Sequence, residues 1–158
     1  MFLAVFIVGT AQATVIIDET FNLDVTTANG TDSSVSLQSG IEYQIEVSGT
    51  FSIGVTLLAD AEYWDIPDNP KDTLFTDIGV RINGADINWG PFNSSNVYST
   101  TFVGLGSPVN LTYNDNNNYS DNSGSLQVTI SHVPEPTILA LMGLGLAGIG
   151  FARKKKKT

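Results

Sequence analysis

The sequence predicts an all-β fold, a single antiparallel β-sandwich with a targeting segment at each end, on three observations. Apolar and polar residues alternate along several short stretches, clusters of Asn, Asp, Ser and Gly separate those stretches, and residues 14–132 show no helical periodicity. The intervening polar clusters carry the chemistry of turns. Their spacing suits about eight short strands in two packed sheets.

From the N-terminus, residues 2–8 are apolar and lead through Gly9 and Thr10 to the small-x-small triplet Ala11-Gln12-Ala13. That is the layout of a signal peptide spanning 1–13, with cleavage after Ala13. No basic residue precedes the apolar run, so the reading frame is expected to start a few codons upstream. A first β-strand is the plain alternative.

The domain is expected over residues 14–132. Ile41, Tyr43, Ile45 and Val47 alternate with Glu42, Gln44, Glu46 and Ser48, which is the period of a half-buried strand. Residues 51–58 read as a second strand after Gly49. The polar segment 60–73, containing Glu62, Tyr63, Trp64, Asp65 and Asp68, reads as an exposed loop. Ile78, Val80 and Ile82 alternate again and end in Asn83-Gly84, a type I′ hairpin signal leading into Ile87 and Trp89. Trp89, just before Gly90-Pro91, reads as core. Residues 97–103, 109–113 and 125–130 complete the strands.

Between the last two strands lies a loop dense in side-chain oxygens, with Asp115 at its start and Asp121-Asn122 at its end. A hairpin here brings those three groups together. Calcium takes about six to eight oxygen ligands, mixing carboxylates, amides and backbone carbonyls. Two adjacent carboxylates with no local cation are relieved by such an ion. The acidic spacing of an EF-hand, with its terminal glutamate, is missing. On the residues alone an ordinary Asn/Asp turn remains open.

The tail begins at Val133-Pro134-Glu135-Pro136. Sixteen uncharged, mostly apolar residues follow over 137–152, and then a basic end, 153–158. Prolines on either side of Glu135 keep the chain extended. The apolar stretch predicts a transmembrane helix that is short for a core of about 30 Å, with snorkelling lysines supplying reach. The basic cluster is expected on the cytoplasmic side.

Charge narrows the functions further. The net charge is −9, but five of the seven basic residues lie in the basic end. Residues 14–133 hold fifteen carboxylates against Lys71 and Arg81, a balance of −13. A field of that sign repels nucleic acid and attracts cations. The chain has no cysteine, which excludes disulfides and thiolate sites, and its one histidine, His132, reads as a solvated linker residue. With no nucleophile elbow and no histidine in the domain's apparent core, acyl-transfer chemistry lacks its parts. Glu42 and Glu46 face solvent and Glu62 reads as isolated, so the carboxylates make a poor glycosidase pair. The protein is therefore expected not to be an enzyme.

Two resemblances add to this reading. The order Pro-Glu-Pro, apolar run and basic end resembles the PEP-CTERM sorting signal. This implies export, transit anchored in the inner membrane through the C-terminal helix, and processing by an exosortase in bacteria that make extracellular polysaccharide. The stretch Tyr113-Asn114-Asp115, Tyr119, Asn122-Ser123-Gly124-Ser125, Val128 and Ile130 resembles the C-terminal calcium loop of the small bacterial galactose-binding calcium lectins. That likeness implies a jelly-roll-like sandwich and a Ca²⁺ ion held by Asp115, Asp121 and Asn122 with the carbonyls of Asn118 and Ile53. It also implies sugar binding through vicinal hydroxyls that complete the metal shell. Asp121 stands where the family has asparagine, Ile53 where it has tyrosine, and the loop is one residue shorter. The family's sugar-contacting His-Pro-Asp-Gln segment has only Asp65 and Asp68 as loose counterparts. Tyr63 and Trp64 either stack on a sugar ring or plug the end of the sandwich. The expected function is calcium-dependent binding of extracellular polysaccharide at the cell surface or in the matrix. A structural matrix protein with a purely stabilising calcium loop, and a protein-binding adhesin, are the alternatives.

Overall fold

The alternation at residues 41–48 becomes β3 (Glu42–Ser48), whose Tyr43, Ile45 and Val47 are buried while Glu42 and Gln44 are exposed. Its neighbours are β12 (Ser125–His132) on one side and β10 (Val97–Val103) on the other, both antiparallel. Beyond β12 lies β1 (Ile16–Asp24), completing a first sheet in the order β1-β12-β3-β10.

The second sheet has the order β2-β11-β8-β9, comprising β2 (Thr31–Asp32), β8 (Gly79–Ile82), β9 (Ala85–Asp86) and β11 (Asn110–Asn114). Asn83 and Gly84 take φ of 50° and 77°, so the turn between β8 and β9 has the positive dihedrals that Asn-Gly predicts. The third sheet is a meander, β4 (Phe51–Ile53), β5 (Leu57–Ala59), β6 (Tyr63–Ile66) and β7 (Lys71–Asp72).

This computed structural model describes residues 14–72, 78–116 and 118–134. Contacts divide the chain into Ile17–His132 and a unit of the two ends. Of that second unit only residues 14–16 and 133–134 are described. The expected signal peptide 1–13, Glu135 and Pro136 of the sorting motif, the apolar run 137–152 and the basic end lie outside the described residues. Among the described residues no helix is long and apolar enough to cross a membrane.

The protein is all-β, and the expected sandwich resolves into three four-stranded antiparallel sheets around one core. Each sheet contributes: Ile45, Val47, Val128 and Ile130 from the first, Leu111, Tyr113 and Val80 from the second, Phe51, Ala59 and Tyr63 from the third. Phe51 meets Tyr113 edge to face with ring centroids 4.6 Å apart, which joins the third sheet to the second.

Three expectations are corrected. Residues 51–58 are not one strand: Gly54, at φ 68°, turns the chain back so that β4 pairs with β5. Residues 60–73 are not an exposed loop, because Asp60, Ala61, Glu62 and Tyr63 are buried and β6 and β7 form there. His132 is not a solvated linker: it ends β12, its Nδ1 lies 2.7 Å from Asp18 Oδ2, and its ring meets Tyr43 edge-on.

Candidate functional site

The loop after β11 does not close a hairpin. Because β11 pairs with β8 and β2, while β12 pairs with β3, residues 115–124 carry the chain from the second sheet to the first. The crossing is compact. Asn118 N–H donates to Asp115 O at 2.8 Å, and a single 3-10 turn, Tyr119–Asp121, follows. Ser52 and Ser123 then exchange backbone hydrogen bonds of 2.9 and 3.0 Å, which ties the loop to β4. Fold and local chemistry together thus bring back to one place residues that the sequence separates by more than sixty positions.

That place is a cleft of about 240 Å³ lined by Ile53, Gly54, Leu57, Trp64, Ile78, Asp115, Asn118 and Asp121. One wall is apolar, drawn from the meander and the residue before β8. The other is the acidic loop. Asp115 is 5% exposed, and its Oδ2 is buried without a hydrogen-bond partner. Burial pushes its carboxyl above the ordinary carboxylate range; the Asn122 side chain acts against that, and the charge of Asp121 adds to it. Asp121 is exposed, and its Oδ2 accepts a hydrogen bond of 2.9 Å from Asn118 Nδ2.

Asn122, the third expected ligand, is not among the residues that line the cleft, although its side chain acts on Asp115. It is buried, its Nδ2 donates to Val25 O at 2.9 Å, and its Oδ1 has no partner. Two unpartnered buried oxygens, on Asp115 and Asn122, are costly in a folded protein, at about 1–3 kcal/mol each. A hard cation satisfies such oxygens, and the side-chain donors here (two carboxylates and amide oxygens) are of the kind calcium takes; Ser52 turns its backbone to Ser123, so that of Ile53 faces Leu57 of β5. Among the described residues no group of three or more His, Asp and Glu side chains is arranged to hold a metal, so two carboxylates are what the cleft offers.

The other expected sugar contacts divide. Trp64 lines the cleft, half-buried, with Lys71 Nζ 4.2 Å from its ring centroid. Tyr63, its neighbour on the opposite face of β6, is in the core and donates from its hydroxyl to Gly90 O at 3.2 Å. Tyr63 is therefore the plug and Trp64 the wall. Asp65 pairs with Lys71 Nζ at 2.7 Å, and neither it nor the exposed Asp68 lines the cleft. Trp89 is core as expected, its Nε1 donating to Val80 O.

Sequence reasoning missed Gly54, Leu57 and Ile78. A glycine interrupting an apolar run was the available signal, since it marks a bend or a close backbone approach. A Cβ at Gly54 would lie 3.7 Å from Asp121 Oδ2.

An all-β domain that ends at β12 and runs directly into a Pro-Glu-Pro tail defines a class, the exported protein that carries its own sorting signal. Residues 132–155 match the PEP-CTERM protein-sorting motif. The motif implies export, membrane-anchored transit and processing by exosortase. No curated protein and no solved structure matches the chain. The lectin likeness, which extends loosely over residues 41–130 and strongly only over the last twenty, therefore has no support from a homologue or a solved structure.

Proposed function

We propose that the domain is a calcium-dependent carbohydrate-binding module, displayed at the cell surface or in the extracellular matrix, that binds polysaccharide and performs no catalysis. The observation that carries the reading is the buried, unpartnered Oδ2 of Asp115 at the wall of a cleft that Asp121 also lines. In this reading Asp115, Asp121 and Asn122, with the carbonyls of Ile53 and Asn118, hold the ion. Calcium would supply coordination to two vicinal hydroxyls of a sugar. Trp64, Leu57 and Ile78 supply the apolar wall against which a sugar ring can lie. Single sites of this kind bind weakly, and repeated display along a polymer raises avidity.

A glycan array probed with the full chain, in calcium and in EDTA, tests the proposal. Retention that is lost with EDTA and with Asp115→Ala supports it; no retention at any calcium concentration refutes sugar binding.

A second reading, a structural matrix protein whose calcium loop only stiffens the fold, draws support from the two ties that fasten the loop to the chain leaving β1 and to β4. These are Asn122 to Val25 and Ser123 to Ser52. Its mark is a rise in melting temperature with calcium and no glycan retention. Binding to a glycan-free protein surface would favour the adhesin instead.

A further inference from the structure

The first sheet ends in two long edges that differ in character. β1 carries Asp18, Glu19 and Asp24, charges of the kind that keep sheet edges from pairing. β10, Val97-Tyr98-Ser99-Thr100-Thr101-Phe102-Val103, has seven residues, no charge and no proline, and it pairs with β3 alone. The outer strands of the other two sheets are two or three residues long. Among the described residues β10 is thus the one long edge left unguarded.

Its free side is defined by the hydrogen bonds at its two ends. Asn96 O accepts from Gly49 N, Gly104 N donates to Ile41 O, and Gly104 O accepts from Gly40 N. The register against β3 runs without a shift from Val97 to Val103. Backbone groups alternate sides along a strand, so even-numbered residues from 96 to 104 point at β3 and its extension. The N–H and C=O of Ser99, Thr101 and Val103 point outward. Val97 O, also outward, already accepts from Asn93 Nδ2.

The strand is also close to a palindrome about Thr100. Turned onto a second copy by a two-fold axis there, Val97 opposes Val103, Tyr98 opposes Phe102, Ser99 opposes Thr101, and Thr100 opposes itself. The parity fits that axis. Thr100 points its backbone at β3, which makes Thr100 with its copy a non-hydrogen-bonded pair, while Ser99 and Thr101 exchange hydrogen bonds. Thr100 and Phe102, on the inner face with buried Tyr98, are only half-buried as the strand stands. A second strand alongside would cover them.

We propose that β10 is a homodimer interface, in which two copies of this chain pair their β10 strands antiparallel about Thr100 and form one continuous eight-stranded sheet. The interface is isologous, as a two-fold axis requires. It also accommodates the charge of the domain. The exposed or half-buried Glu42 and Glu46 lie on β3, and the β3 strands of the two copies stand three strand spacings apart. At about 4.8 Å each that is about 14 Å, beyond a screening length of about 8 Å in physiological salt. The uncharged strand is where two strongly acidic domains can touch.

The chain has no cysteine, so a single introduced one can cross-link only to another copy. A non-hydrogen-bonded pair brings opposing Cα atoms to about 4.5 Å, within the reach of a disulfide. Full-length Thr100→Cys is expected to give a covalent dimer under mild oxidation on a non-reducing gel. Val97→Cys, about 20 Å from its own copy in this register, is expected to stay monomeric. Thr101→Pro in the Thr100→Cys background removes an outward N–H and no β10–β3 hydrogen bond, and is expected to reduce cross-linking at least tenfold. A Thr100→Cys chain that remains monomeric overturns the proposal. So does equal cross-linking at residue 97, which is what association driven elsewhere in the chain would give, or cross-linking that is indifferent to the proline.

Discussion

Asn122 Nδ2 donates to Val25 O across 97 positions of sequence, and this 2.9 Å hydrogen bond pins the end of the acidic loop against the chain leaving β1. Both groups are buried. Replacing Asn122 with Leu removes the donor and leaves the Val25 carbonyl unpaired in the interior, so a loss of about 1–3 kcal/mol is expected in calcium, where the proposed ion satisfies Oδ1; in EDTA the removal of the unpartnered Oδ1 offsets part of it. Asn122→Asp is expected to be worse without calcium, because a carboxylate then faces a carbonyl oxygen. Urea titrations of the two variants with and without calcium check both statements, and equal stability of wild type and Asn122→Leu in calcium would dismiss the pin.

Asp115 gives a prediction with opposite signs in the two conditions. Its buried, partnerless oxygen disfavours the ionised form, so Asp115→Asn is expected to raise the melting temperature in EDTA. The same substitution removes a donor from the proposed metal shell. Calcium at a hundred times its dissociation constant stabilises a binding protein by about 2.7 kcal/mol, and the variant should forfeit that gain. Thermal melts of both chains in EDTA and in calcium decide the matter; a variant less stable than wild type in EDTA contradicts the reading of Asp115.

The tyrosine and tryptophan of β6 point to opposite faces of the strand, so they can be told apart in solution. Trp64→Ala is expected to lower glycan retention while leaving the calcium-dependent rise in melting temperature in place. Tyr63→Phe loses the hydroxyl's hydrogen bonds with the backbone of Gly90 and Phe92 and is expected to cost about 1 kcal/mol of stability without touching glycan retention. If Tyr63→Phe abolished retention and Trp64→Ala did not, the assignment of the two residues would be reversed.

Such contrasts show how far the sequence could be read. The alternation at Tyr43, Ile45 and Val47 and the turn at Asn83-Gly84 are local signals, and each became the element it predicts. Asp115 and Asp121 were legible for the same reason, being six positions apart in one loop. The segment around Asp60 was not, because its core is written in polar residues. Asp60 Oδ1 accepts from the N–H groups of Glu62 and Tyr63, and its Oδ2 accepts from Tyr98 OH at 2.8 Å. Once those bonds satisfy the carboxylate it can be buried, which no periodicity of apolar letters reveals. The far wall of the cleft was hidden differently: Leu57 and Ile78 reach Asp115 only through sheet pairing, and sequence spacing carries no record of that. The acidic loop also gave no sign that its flanking strands belong to different sheets.

Glu62 carries the last prediction. It is 1% exposed, and its Oε2 accepts from Trp89 N–H at 3.0 Å. Burial raises its pKa from 4.5 to about 7; the Trp89 hydrogen bond opposes the rise, and Asp72 and Asp60 beside it add to it. Tyr63 and Tyr98, the other titratable groups packed at this cluster, hold their protons throughout this range, since both are shifted upward. A raised pKa means the folded state binds a proton that the unfolded chain has released. The stabilisation from Glu62 is therefore complete below pH 4.5, is lost as pH climbs toward about 7, and changes no further above that. The shift corresponds to about 3 kcal/mol. Glu62→Gln keeps an oxygen for Trp89 N–H and cannot ionise. Relative to wild type, the variant should therefore gain about 3 kcal/mol in unfolding free energy between pH 4.5 and pH 7. Denaturant titrations of both chains across that window measure the difference directly, and the other carboxylates, present in both, largely cancel. Parallel curves for the two chains would mean that Glu62 ionises in the folded protein as freely as in water. Its burial beneath Trp89 would then have no bearing on the pH at which the fold holds.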